Sequence, residues 1–427
     1  MLALAIVVLL LVLILIRVPV SFAILGAGII GLFAVGGFGV VDGVMQTVPA
    51  TSVMSYSLSA VPLFILMAHL LMLSGLLDSL FDAARAIVGR IRGGTAVASI
   101  GAGTAFASVS GSSTAAAATL AQTSTLKMID EGYSPKTASG LVAVVGTLAA
   151  MIPPSIILVF YAITAEVSVG DVLIAGALPG VIIACALVVM LYVTMLRDPE
   201  TVPSGQPSTW AEKGRALGTA APLALVFLAV VGSIYMGWAT PTEAAALGSV
   251  AALVLVIARG RFSLAGVGHT LVETTKSTAM IFAIIIGAHV FGHFLTETKV
   301  TPTLVAWIGD LTLPAFVIML CIGIVYVVLG FFMDQIAIIA LTVPVVLPLV
   351  VELGYDPIWF GVFMVLLAEV GLVTPPMGLN VFVVARSAGR RVEEVFRGAF
   401  PYVIAMLAVA LLFLIFPGIV LWIPETM

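Results

Sequence analysis

Three groups of residues have types and spacing that could do chemistry. The first is Ser108-Val109-Ser110-Gly111-Ser112-Ser113-Thr114, five hydroxyls around one glycine in a stretch with no charge between Arg92 and Lys127. Gly111 lets the chain reverse, and Ala115 to Ala118 restart a helix at once. A helix N-terminus exposes unpaired N–H groups and carries partial positive charge, which suits a carboxylate. Serine hydroxyls add donors for an anion or oxygen ligands for a cation. Close helix packing is the better account of the alanines, since small residues are common at membrane helix contacts. Five hydroxyls at the middle of a hairpin read as a binding element.

The second group is a pair of double prolines, Pro153-Pro154 and Pro375-Pro376. Proline has no N–H, so the carbonyls of Ala149 and Ala150 lose their helical partners, as do those of Gly371 and Leu372. Freed carbonyls on a broken helix are good ligands for a hard cation such as Na+. Ser155, Thr374, Met377, Gly378 and Asn380 stand beside the breaks, and Asn380 offers both donor and acceptor at depth. The third group is Asp334 with Gln335, in an apolar stretch between Asp310 and Glu352. An ionisable residue there is a functional candidate by default. A carboxylate capping a half-helix is an equally good reading, and the two are compatible. Glu369 is a weaker candidate, and Thr240-Pro241-Thr242-Glu243 reads as an ordinary capping box. His289 and His293 have an i, i+4 spacing that could hold a metal, but without Cys or a further carboxylate nearby packing is the simpler reading, and His69 and His269 add little. Cys185 and Cys321 lie in apolar runs, which argues against a disulfide framework or metal cluster. No Gly-rich loop with Lys is present, so ATP is not expected as the energy source within this chain.

The elements that position these groups follow from composition. Of 427 residues, 62% are hydrophobic and 9% charged, against about 25% charged in a typical soluble domain, which excludes a water-soluble fold. A helix needs about 20 apolar residues to cross a bilayer core. Runs at 2–16, 19–40, 51–77, 137–165, 171–196, 217–238, 242–258, 276–298, 358–386 and 397–423 are the expected spans. No Lys or Arg precedes Leu2–Ile16, so that run lacks the basic start of a cleaved leader. The stretches at about 94–126 and 313–351 read as re-entrant hairpins, tolerated where protein or a water-filled cavity covers the non-helical backbone. With the N-terminus outside, this layout puts 16 of the 17 Lys and Arg residues in the cytoplasm, leaving only Lys299 outside.

A shift of 222 residues aligns the chain with itself without gaps: Pro19 with Pro241, Gly132-Tyr133-Ser134-Pro135 with Gly354-Tyr355-Asp356-Pro357, Pro153-Pro154 with Pro375-Pro376. Residues 1–205 thus map onto 223–427, with a Pro- and Ser-rich cytoplasmic linker at 206–222. Five spans per copy is an odd number, so the second copy is upside down. Inverted repeats with broken segments at matching positions characterise secondary transporters. The expected fold is therefore an all-α polytopic membrane protein of two inverted repeats, about ten transmembrane helices and two re-entrant hairpins.

The motifs V-S-G-S-S at 109–113, G-Y-S-P at 132–135, I-P-P-S at 152–155 and T-P-P-M-G-L-N at 374–380 together resemble the large membrane subunit of TRAP transporters. The resemblance implies an elevator-type carrier, with a transport domain holding both hairpins and a scaffold. It implies import of a small carboxylate coupled to Na+ and no organic cofactor. It also implies a small membrane subunit (Q-type), an extracytoplasmic solute-binding protein (P-type), an inner-membrane location with both termini on the outer side, and no nucleic-acid partner. Carried over by motif, one Na+ site joins Ser108, Ser110 and Ser112 to carbonyls near Gly146 and Ala149. The other joins Asp334 to Gly371, Thr374 and Met377. Substrate contacts are expected at Ser110, Gly111, Ser112, Ser113, Thr114, Pro154, Ser155, Pro376 and Asn380. Ala149, where a glycine is common, and Leu120-Ala121-Gln122 depart from the family pattern. Two other classes are weighed beside this one. One is a carrier working alone, a dicarboxylate or citrate symporter or a Na+/H+ exchanger. The other is an intramembrane serine enzyme, which would need His or Lys beside the nucleophile.

Overall fold

The computed structural model describes residues 2–16, 18–88, 91–198, 209–309 and 313–426. Its described residues build helices joined by short turns. The short α1 (Leu2–Leu15) leads into α2 (Val20–Thr51), which runs past the expected end at 40 and bends at Gly37, where φ is 67°. A 3-10 turn, Tyr56–Ser59, opens α3 (Ala60–Leu73), and α4 (Leu76–Val88) follows. The first hairpin consists of α5 (Gly94–Ser110), α6 (Ser113–Leu120), a π turn at Ala121–Thr125 and α7 (Leu126–Asp130). The first broken span is α8 (Pro135–Val145), a 3-10 segment Gly146–Ala150, and α9 (Ile156–Thr164). Then come α10 (Val169–Arg197), α11 (Trp210–Tyr235), α12 (Pro241–Ala258), α13 (Leu264–Glu297) and α14 (Val300–Gly309). The second hairpin is α15 (Ala315–Phe332) and α16 (Gln335–Glu352), and the second broken span is α17 (Pro357–Leu372) and α18 (Leu379–Ser387). The chain ends with α19 (Val392–Ile415) and α20 (Gly418–Leu421).

Among the described residues, nine helical segments are long and apolar enough to cross a membrane. Seven coincide with expected spans, and the other two are the arms of the second hairpin. The remaining three expected spans are too short or broken to qualify: α1 and the two proline-interrupted pairs. One boundary needs correction. Residues 206–222 are not a linker throughout, because α11 begins at Trp210 behind a complete capping box, Thr209 with Glu212. Thr209 supplies the acceptor for the Glu212 N–H and Glu212 returns the bond, so the helix nucleates well before the apolar run begins. Residues 199–208, with Arg17, Arg90, Asp310 and the side chain of Ser108, lie outside the described set.

Two bodies of packing organise the helices. In one, α2 lies along α13 and α3 along α12. Small residues allow the approach: a Cβ at Gly28 would sit 3.0 Å from the Phe291 nitrogen, and one at Gly287 3.1 Å from the Ser21 carbonyl. In the other, α8 packs on α19, and α17 on α15 and α10, around a fully buried centre that includes Phe160, Tyr161, Trp359 and Phe360. Ring stacking continues through Tyr355, Trp359 and Phe363 with centroids 4.7 and 4.8 Å apart. The large apolar side chains left exposed, such as Phe33, Phe38 and Leu225, form the surface that a bilayer covers.

Candidate functional site

Both hairpin tips are built by the same local rule, a reversal followed by a capped half-helix. At the first tip Gly111 takes the left-handed conformation (φ 56°), which ends α5. A side chain there would also meet Ile156 Cδ1 at 2.8 Å, so glycine is required twice over. Ser112 then caps α6, its Oγ accepting from the Ala115 N–H at 3.4 Å and lying 3.3 Å from the Thr114 hydroxyl. Ser110 donates to the Ser112 carbonyl at 3.4 Å. At the second tip Asp334 caps α16, its Oδ1 accepting from the Ala337 N–H at 2.9 Å. Ser112 and Asp334 are 222 residues apart, so one cap is neutral and the other acidic at matching positions.

The tips meet. Gln335 Nε2 donates to Ser113 Oγ at 3.4 Å, and both Ser113 and Gln335 donate to Oε1 of Glu369 on α17. Glu369 is fully buried, and its Oε2 has no hydrogen-bond partner among the described residues. Glu369 is a weaker candidate in the sequence, yet it lies where the two hairpins join. The 222 shift sets Ser113 opposite Gln335 but gives no signal for Glu369, whose matching residue is Thr147.

The proline breaks hold the other half-helices. Pro153-Pro154 and Pro375-Pro376 are both cis. At the first, Ser155 caps α9 by accepting from the Leu158 N–H at 3.2 Å, and its hydroxyl donates to the Ala150 carbonyl at 2.6 Å. That carbonyl is therefore re-partnered and not left free. At the second, the Gly371 carbonyl accepts from the Thr374 N–H at 3.1 Å, and Thr374 Oγ1 donates to the Val370 carbonyl at 2.6 Å. Of the four carbonyls expected to be freed, Ala150 and Gly371 thus find replacement donors. The breaks differ in setting: Pro153, Pro154 and Ser155 are buried, whereas Pro375, Pro376 and Met377 are exposed.

A cavity of about 360 Å³ lies over the tips. Its walls include Ser110 to Ala115 of the first hairpin and Asp334 to Ile336 of the second. Ile156 and Leu379 bring in the starts of α9 and α18, while His69, Ser277 and Met280 come from α3 and α13. His69 adds little in the sequence, and Ser277 and Met280 are not marked there at all, because nothing in a single apolar run marks the face it presents. Among the described residues no Arg or Lys lines it, so an anion here would be met by hydroxyls, helix ends and His69.

Not every candidate reaches this cavity. Pro154 lies against Met67 and Val226 elsewhere, and Pro376 and Met377 face outward on their exposed turn. Asn380 is fully buried, and neither its Oδ1 nor its Nδ2 has a partner among the described residues. Gly146 touches α6, where its Cβ would lie 2.8 Å from that of Ala117, and Gly371 touches Gly330 of α15. Each thus stands beside the hairpin to which it was assigned. The available donor atoms are hydroxyl, carboxylate, amide and carbonyl oxygens, a set that fits a hard cation. His289 and His293 lie away from the tips, in a separate cavity of about 450 Å³, and His289 Nδ1 is 2.9 Å from the Ile285 carbonyl.

Comparisons with known proteins show the family of the chain. Residues 7–419 match the family model described as Tripartite ATP-independent periplasmic transporter, DctM component. The chain is 35% identical over 372 residues to the C4-dicarboxylate TRAP transporter large permease protein DctM of Pseudomonas aeruginosa, covering 87% of this chain and 86% of that one. It is 31% identical over 373 residues to the sialic acid TRAP transporter large permease protein SiaM of Vibrio cholerae, covering 87% of each. Among solved structures it resembles the Alcanivorax borkumensis YdaH transporter with a TM-score of 0.67 at 16% identity, over 95% of this chain and 98% of that one, a likeness of fold. Relatives of this kind are permeases and not enzymes, which removes the intramembrane serine enzyme from consideration. The chain is a multi-pass membrane protein and belongs to the DctM family, the large permease component of tripartite ATP-independent periplasmic transporters.

Proposed function

We propose that this permease imports a small carboxylate in symport with Na+, by an elevator movement of one body carrying both hairpins against a scaffold. The observation that carries the reading is the meeting of both hairpin tips on one cavity with no fixed cation in its wall. An anion needs positive charge in a low-dielectric site, and here only helix N-termini and bound cations can supply it. Relatives named for C4-dicarboxylate and sialic acid both handle carboxylates, in line with this chemistry. The 222-residue shift supports two inverted repeats. Under it the bounds of α5 fall within one residue of those of α15, and α16 spans the same interval as α6 through α7. Hairpins entering from opposite sides bring their tips together at depth. One Na+ would be held by Ser108, Ser110 and Ser112 with carbonyls at Gly146 and Ala149. A second would be held around Asp334 with Gly371, Thr374 and Met377. The permease would sit in the inner membrane with both termini outside, with a small membrane subunit and an extracytoplasmic solute-binding protein that delivers the substrate.

Uptake of radiolabelled C4-dicarboxylate into proteoliposomes tests this, with and without a Na+ gradient and with and without the binding protein and small subunit. Uptake is expected only with all components and inward Na+. Ser110→Ala and Asp334→Asn are expected to raise the Na+ concentration needed for half-maximal uptake. Transport by the large subunit alone, or driven by a proton gradient without Na+, would overturn the reading in favour of a carrier working alone.

A further inference from the structure

We infer that Glu369 is a positioning residue that ties the two hairpin tips into one unit, making Na+ activation of uptake cooperative between the two half-sites. The inference rests on the Na+-coupled reading above and goes beyond it. Three groups from three elements converge. Ser113 is the first residue of α6, Gln335 the first of α16, and Glu369 belongs to α17. Ser113 and Gln335 occupy matching positions under the 222 shift, and both donate to the same carboxylate oxygen. The two tips thus approach one acceptor in equivalent ways, as parts related by a pseudo-two-fold axis would.

The acceptor itself exists in one copy. The position matching Glu369 is Thr147, whose hydroxyl donates to the Val144 carbonyl at 2.6 Å and lies 3.9 Å from the Met406 sulfur. The bridge is therefore single and shared. Its neighbours on each side are the candidate cation ligands: Ser112 precedes Ser113, Asp334 precedes Gln335, and Gly371 follows Glu369 by two residues. Ser113, Gln335 and Glu369 are 3%, 7% and 0% exposed, so water does not compete for these bonds. Oε2 remains buried without a partner among the described residues, so the bonds to Oε1 are the ones that hold the group. A cation that orders one tip fixes its donor on Glu369, and through the shared oxygen fixes the donor of the other tip. The second cation then meets an already ordered site, which is positive coupling.

The test is the Na+ dependence of uptake in the reconstituted complex. The parent protein is expected to show a Hill coefficient greater than one. Glu369→Ala and the double variant Ser113→Ala/Gln335→Ala are expected to bring it close to one and to raise half-saturating Na+ by about tenfold, within the usual span of such coupling. Glu369→Gln keeps an amide oxygen that can accept both bonds, so its Hill coefficient should stay above one. A purely structural role would lower maximal uptake at an unchanged Hill coefficient. If Glu369→Ala does not assemble, the double variant carries the test alone. Na+-dependent but non-cooperative uptake in the parent, or an unchanged Hill coefficient in the bridge variants, would overturn the inference. No Na+ dependence in the parent would instead overturn the transport reading on which it rests.

Discussion

Ser155 does two jobs with one hydroxyl, and that sets the cost of losing it. Its Oγ accepts from the Leu158 N–H and donates to the Ala150 carbonyl, in a setting where no side-chain atom meets water. Ser155→Ala would strip a helix cap and orphan a buried carbonyl. A loss of about 2 kcal/mol is expected from the two effects together, read as a lower unfolding midpoint in detergent. Asp334 offers the contrasting experiment. Asn caps helices about as well as Asp, so Asp334→Asn should leave the unfolding midpoint nearly unchanged while weakening Na+ activation. A large drop in midpoint would mean that the carboxylate serves the fold and not the ion. The cap at Asp334 was legible from residue type and setting, whereas Ser155 was marked only as a neighbour of the proline break. The junction at Glu369 was not legible, because its partners Ser113 and Gln335 lie 256 and 34 residues away, and only tertiary packing brings them to it.

At the scale of elements, broken helices and hairpins were readable because proline, glycine and charge punctuate them. The amphipathic α4 and its counterpart α14 were not expected, since a search for unbroken apolar runs passes over a helix with a polar face. From α4, Asp82 pairs with Lys127 of α7 at 2.9 Å and Arg85 pairs with Glu131, clamping the base of the first hairpin. The helix crossing behind the second hairpin has a stricter requirement. A Cβ at Gly371 would lie 2.5 Å from both Gly330 Cα and the Val327 carbonyl, all backbone atoms that cannot swing aside. Gly371→Ala must push α15 from α17, an overpacking expected to cost about 1–3 kcal/mol and to lower the unfolding midpoint. The matching position in the first copy is already alanine, Ala149, and it is buried without such a constraint. Ala149→Gly should therefore change stability by much less, and equal effects at the two positions would show that the crossing tolerates separation.

The whole molecule treats its two proline breaks unequally, and the proposed sliding of one body would give that asymmetry a meaning. Pro153, Pro154 and Ser155 are closed in, with Pro154 beside Met67 of α3 and Val226 of α11, while Met377 is 52% exposed. If the hairpin-bearing body slides, the structure is one of two states, and the other state should cover the second break and uncover the first. Cysteine labelling reads this directly, once the exposed Cys185 and Cys321 are replaced by alanine. Met377→Cys should react rapidly with a maleimide in the state seen here, and Ile152→Cys slowly, since Ile152 is 6% exposed. Conditions that populate the other state, Na+ with substrate and binding protein, should slow the first reaction and speed the second. Rates that stay fixed at both positions under every condition would mean that the breaks keep their burial throughout transport. The sliding of one body past the other would then have to give way to a local opening of the hairpins.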